Sequence, residues 1–110
     1  MTDAFQTAMD HAAFDAGKAT KADLCRGERL FVGLNCFEPG QSQAAHIHAG
    51  ADKFYYVCRG RARLIVGRET REVSEGAIVW APAGVLHGVA EALERTVLLV
   101  GIAPPPGQTP

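Results

Sequence analysis

From Arg61 to Val73 the chain reads RARLIVGRETREV, and this stretch decides the fold. Ala62, Leu64 and Val66 fall on one side of an extended segment, as the two-residue period of a strand requires. Gly67-Arg68 suits a tight turn whose first central residue has positive φ, and Glu69 to Val73 then returns as a partner strand. The same texture extends outward on both sides. Lys18 to Cys25 reads as a strand, Arg26-Gly27-Glu28 as a turn, and Arg29 to Phe37 as a second strand ended by Glu38-Pro39-Gly40. Lys53 to Cys58 is apolar and aromatic on both faces, and Ala77 to Ala81 and Arg95 to Ile102 complete the set. Short strands at regular spacing, punctuated by Gly and Pro, predict an all-β antiparallel sandwich or barrel.

Ahead of the strands, residues 3–16 suit a short helix, with Phe5, Ala8, Met9 and Ala12 on one face. Asp3 with Gln6 can make a capping box there, and Gly17 can end it. The expected organisation is an N-terminal segment, 1–17, one β domain, 18–103, and a flexible Pro-rich tail, 104–110.

A chain of 110 residues that is 47% hydrophobic and 21% charged is one globular domain rather than a disordered segment. With 11 Lys+Arg against 12 Asp+Glu it has no electrostatic case for nucleic acid. The cluster Arg59, Arg61, Arg63, Arg68 and Arg71 is interleaved with Glu69, Glu72 and Glu75, so it reads as a mixed solvated face. The longest apolar run, Val97 to Ala103, falls well short of the ~18–20 residues of a membrane span. Met1-Thr2-Asp3 opens no basic-then-apolar signal sequence. Cys25, Cys36 and Cys58 are odd in number and lack Cys-x-x-Cys spacing, which argues against a disulfide framework or zinc knuckle and for a reducing, cytoplasmic setting.

Four histidines are present, and three share a pattern. His46 and His48 are two apart, so on a strand they face one way, and His87 follows the turn Ala81-Pro82-Ala83-Gly84. Three imidazoles from two meeting strands can hold a divalent cation and leave its other positions open. His11 has no such company and reads as an ordinary surface residue.

The spacing around them is specific. Gly40, five residues, His46-Ile47-His48, four residues, Lys53, six residues and Gly60 form one motif; Gly76, five residues, Pro82-Ala83-Gly84, two residues and His87 form another. Together they resemble the two motifs of the cupin family, and the fifteen residues 61–75 resemble the short spacer of small microbial members. The resemblance spans roughly Cys25 to Ile102 and implies a double-stranded β-helix, or jelly-roll barrel, with any metal inside. It departs from the family at two places: Lys53 stands where the family has its ligating Glu, and Glu91 where it has Asn. An ammonium has no lone pair to give, so the resemblance implies a three-His site, His46, His48 and His87, for iron, manganese, nickel or zinc. Asp52 becomes a fourth ligand if a bulge at the start of its strand turns it inward in place of Lys53.

Lys53 and Tyr55, at the same parity, are expected to line the cavity, with Val57, Ile78 and Val79 in the core and Cys36 and Cys58 as small core hydrophobes. Phe54, Tyr56 and Cys58 make the opposite face greasy, which calls for cover by a second copy, giving a homodimer, or by the N-terminal segment. The function so implied is a small metal-binding cupin, dioxygenase- or isomerase-like, acting on a small anionic or chelating molecule. The alternative is a non-catalytic binding or sensor module, metal-free, in which Lys53 pairs with a ligand carboxylate.

Overall fold

The computed structural model describes residues 3–107. Nine strands follow one another: β1 (Thr20–Arg26), β2 (Phe31–Phe37), β3 (Gln43–His46), β4 (Asp52–Arg59), β5 (Arg61–Val66), β6 (Glu69–Ser74), β7 (Ile78–Ala81), β8 (His87–Ala92) and β9 (Thr96–Ala103). They form two antiparallel sheets, ordered β1-β2-β9-β4-β7 and β3-β8-β5-β6. The hairpin at Gly67-Arg68 forms as expected, with Val66 opposite Glu69 and Gly67 at φ 61°.

Strand parity sets what faces inward. Tyr55 and Val57 of β4, Ala62 and Leu64 of β5, Val89 of β8, and Leu98 and Val100 of β9 meet between the sheets with Phe31 and Phe37 of β2. Burying one Val, Leu or Phe side chain is worth ~1.5–3 kcal/mol, against ~0–1 for an exposed ion pair. The inner cluster, not surface pairs such as Arg61–Glu72, therefore holds the sheets together.

A second cluster, Leu24, Leu34, Cys36 and Val97, lies on the outer side of the five-stranded sheet. Ala8, Ala12 and Phe14 of the N-terminal segment pack on it, beside Cys58 and Leu99. Of the helix expected over 3–16, a single 3₁₀ turn forms, Ala8–His11. The physical reason is that Gln6 spends its amide on the carbonyls of Asp3 and Leu24. That ties the segment to β1 as a strap, where a helix would have kept Gln6 on its own first turn. Ile78, expected in the core, is 70% exposed, because on edge strand β7 the inward parity belongs to Val79 and Ala81.

At the other end, Pro105 is buried and Arg26 donates to the Pro106 carbonyl at 2.9 Å. Gln108, Thr109 and Pro110 of the expected tail, and Met1-Thr2, lie outside the described residues. Among the described residues no helix is long and apolar enough to cross a membrane.

Gly60 and Gly76 test what the turns demand. Both have strongly positive φ, 92° and 90°. A Cβ at 76 would meet nothing within 4 Å, whereas one at 60 would run into the Arg95 carbonyl and lie 2.6 Å from Thr96 Oγ1. Gly76→Ala should therefore cost about 1–2 kcal/mol for the left-handed backbone alone. Gly60→Ala should cost that and a further ~1–3 kcal/mol of overpacking, read from urea unfolding midpoints. Equal losses would show that the approach to Arg95 and Thr96 is not what requires glycine at 60.

Candidate metal centre

His46 ends β3 and His87 begins β8, and the ladder sets them directly opposite each other. The pairing needs an irregularity, since three steps along β3 from Gln43 to His46 match two along β8 from Val89 to His87. This is a one-residue bulge. It presses β3 onto Gly88: a Cβ there would lie 2.8 Å from Ala45 Cα and 2.9 Å from the Gln43 carbonyl. Only a residue without a side chain lets His46 come this close to His87. His48 lies two residues past the strand, and its carbonyl accepts the Gly84 N–H at 2.9 Å. That bond ties the segment carrying His48 to the Pro82-Ala83-Gly84 turn that aims His87.

The three rings converge, with centroids 4.5 to 5.2 Å apart and one nitrogen from each within 4.8 Å of the others. Backbone carbonyls orient two of them: Nδ1 of His46 faces Ala44 O at 2.9 Å, and Nδ1 of His87 faces Val85 O at 3.1 Å. A carbonyl can only accept, so both Nδ1 atoms carry the proton and both Nε2 atoms present lone pairs. Nε2 of His87 is buried without a hydrogen-bond partner. An orphaned buried acceptor is costly unless something binds it. Nε2 of His46 and Nε2 of His48 stand 3.0 Å apart. Two nitrogens at ~2.1 Å from one ion, at right angles, would be about 3.0 Å apart. Burial, the largest cause, holds His48 and His87 below the ordinary imidazole range, and neighbouring positive groups add to it. The neutral form, which ligates, is thereby favoured. The donor set thus fits a divalent cation.

Lys53 is buried and Asp52 is exposed. No bulge intervenes at the start of β4: Asp52 pairs with Ala103 and Lys53 with Ile102 in unbroken register. Asp52 instead accepts the Ala83 N–H at 2.9 Å, bracing the turn before His87 from outside, and does not join the three rings. Lys53 turns inward, its Nζ 4.6 Å from the centre of the Tyr55 ring. Burial first, then the positive charge of Lys21, pushes the Lys53 ammonium down to about 8. Tyr55 lies beside His87, with ring centroids 6.2 Å apart, and donates its hydroxyl to Gln43 Oε1 at 3.0 Å. Burial raises the Tyr55 hydroxyl well above its usual range, so it remains a donor at any working pH.

Gln43, Gly88 and Lys21 were not singled out by the sequence reading. Gln43 and Gly88 sit on β3 and β8, strands with no apolar alternation to announce them, and Lys21 matters through tertiary proximity alone.

A family model described as Cupin domain matches residues 33–101. An uncharacterised protein of Streptomyces coelicolor is 38% identical over 80 residues, 73% of this chain and 75% of its own. A solved structure from Thermus thermophilus is 35% identical, with a TM-score of 0.87 over 93% of this chain and 98% of that one. KdgF from Halomonas, 23% identical, superposes with a TM-score of 0.84 over 96% of this chain and 97% of its own. At that identity the likeness is one of fold.

The buried ammonium has a measurable consequence in metal-free protein. Between about 8 and the ordinary lysine range the unfolded chain binds a proton that the folded chain has released. Stability should therefore rise with pH across that window. Lys53→Met should flatten the rise, read by urea unfolding of both proteins across that window. An identical pH slope in the two would show that burial does not depress the Lys53 ammonium.

Proposed function

The chain belongs to the cupin family, and on that premise we propose that it holds a divalent metal ion on His46, His48 and His87 and offers the open positions to a small chelating molecule. The observation that carries this reading is the buried, unpartnered Nε2 of His87 beside the two facing nitrogens of His46 and His48. Three imidazoles suit iron, manganese, nickel or zinc. They are neutral, so a bound ion keeps its full double charge and favours an anionic, bidentate partner. A bound ion would supply Lewis-acid or oxygen-dependent chemistry of the dioxygenase or isomerase kind. The protein's part is to fix the rings through Ala44 O, Val85 O and the Gly84–His48 bond. A second reading, a metal-free binding or sensor module, draws on the buried Lys53, which could pair with a ligand carboxylate by itself. Three free cysteines accord with a cytoplasmic setting.

Metal analysis of untagged protein should find about one divalent ion per chain. His87→Ala should lower the affinity at least a hundredfold, and Gly88→Ala, which displaces β3, should weaken it while leaving the ligand side chains in place. Acidification should release the ion, because protons compete for the same lone pairs. Metal-free wild type after supplementation with all four metals would favour the sensor reading.

We further propose a homodimer. Leu30, Tyr56, Ile78 and Trp80 are exposed on the outer side of the five-stranded sheet, next to the part that the N-terminal segment covers. The area is continuous with a buried apolar cluster and ends at the free edge of β7, which suits a second copy of the same sheet. Light scattering should give about twice 11.7 kDa, and Trp80→Glu should shift it to the monomer mass. A wild-type monomer at micromolar concentration would rule the dimer out.

A further inference from the structure

Among the described residues Lys53 is the one buried lysine or arginine. Every ion pair of the described residues lies elsewhere, on the exposed arginines 61, 63, 71 and 95. What surrounds Lys53 has its own sign. Lys21 from β1 acts on it with like charge, it acts in turn on His48 and His87 of the candidate centre, and no acidic group answers it. The adjacent acid, Asp52, is held outside on the Ala83 N–H. The Tyr55 face beneath Nζ offsets part of the lost hydration but supplies no counter-charge. An ammonium group buried without an anion is unfavourable. A divalent ion on the three histidines would add repulsion to the same mouth.

One arrangement relieves both problems at once. Resting on the three-histidine reading above, we infer that the ligand carries a second anionic group, a carboxylate or a phosphate, beyond the atoms that chelate the metal, and that Lys53 receives it with Lys21 reinforcing the field. The chelating end neutralises the ion, and the distal anion supplies the partner that the protein withholds from Lys53. Tyr55, set between Lys53 and His87 and anchored to Gln43, keeps the two binding points at a fixed separation. A chelator without the distal anion would leave Lys53 unpaired, so the site discriminates by charge as well as by chelation.

Two matched pairs of probes separate the two anion chemistries. Lactate and malate share an α-hydroxy-carboxylate chelate and differ by a distal carboxylate; glycerate and 3-phosphoglycerate share the same chelate and differ by a distal phosphate. Calorimetric titration of the zinc-loaded protein should show tenfold or more tighter binding of the distal anion in at least one pair. Lys53→Met and Lys53→Gln should abolish that preference while metal content and the affinity for lactate stay within about twofold. No preference in either pair for wild-type protein would overturn the inference without touching the metal reading, as would a preference that survives both substitutions. Should zinc not be retained, the same titrations are run on protein loaded with iron, manganese or nickel; failure of wild-type protein to retain any of the four would overturn the metal reading, and this inference with it.

Discussion

The close approach of β3 to β8 at Gly88 is the constraint on which the candidate centre depends. His46 can face His87 across the ladder because nothing projects from residue 88 into the backbone of Gln43 and Ala45. The bulge between Gln43 and His46 then places the chain so that His48 swings in on the same ion-sized space. Two further links hold the arrangement: the Gly84–His48 backbone bond and the Tyr55–Gln43 side-chain bond. The first ties the segment carrying His48 to the turn that aims His87, and the second ties β4 of one sheet to β3 of the other, so both sheets position the imidazoles. Preorganisation of this kind is what a weakly competing donor set needs to bind a metal tightly.

Charge gives the site its chemical character. A carboxylate at position 53 would have lowered the net charge of a bound ion and filled a coordination position. Lysine does neither, and the one nearby acid is engaged on the outer side. The site consequently gathers imidazoles and positive groups with no carboxylate among them. The opposite outer surfaces of the molecule differ just as clearly: the four-stranded sheet carries the ion pairs Arg61–Glu94 and Arg63–Glu91, while the five-stranded sheet shows Tyr56, Ile78 and Trp80.

Most strands were legible because their burial follows a two-residue period, as in Ala62, Leu64 and Val66, and because Gly67 marks the turn between β5 and β6. Strands β3 and β8 were not. Gln43-Ala44-Ala45-His46 is small, polar and bulged, and His87 to Ala92 interrupts its apolar residues with Gly88 and Glu91. The histidine spacing identified the three rings, yet spacing cannot decide which of Asp52 and Lys53 turns inward. That choice belongs to the pairing of β4 with β9, an interaction across more than forty residues of chain. The N-terminal helix failed for a similar reason. Its local propensity was overridden by the Gln6–Leu24 bond and by packing of Ala8, Ala12 and Phe14 on a sheet face that only the folded chain creates.

On the proposed reading, three imidazoles and no protein carboxylate make up the metal's protein ligands. Diffraction from crystals of metal-loaded protein, with anomalous data at the metal edge, tests it most directly. One anomalous peak per chain is expected, bonded to Nε2 of His46, His48 and His87 at ~2.0–2.2 Å, with solvent or ligand oxygens in the other positions. A carboxylate oxygen of Asp52 in the first coordination sphere, or a peak away from these three rings, would contradict it.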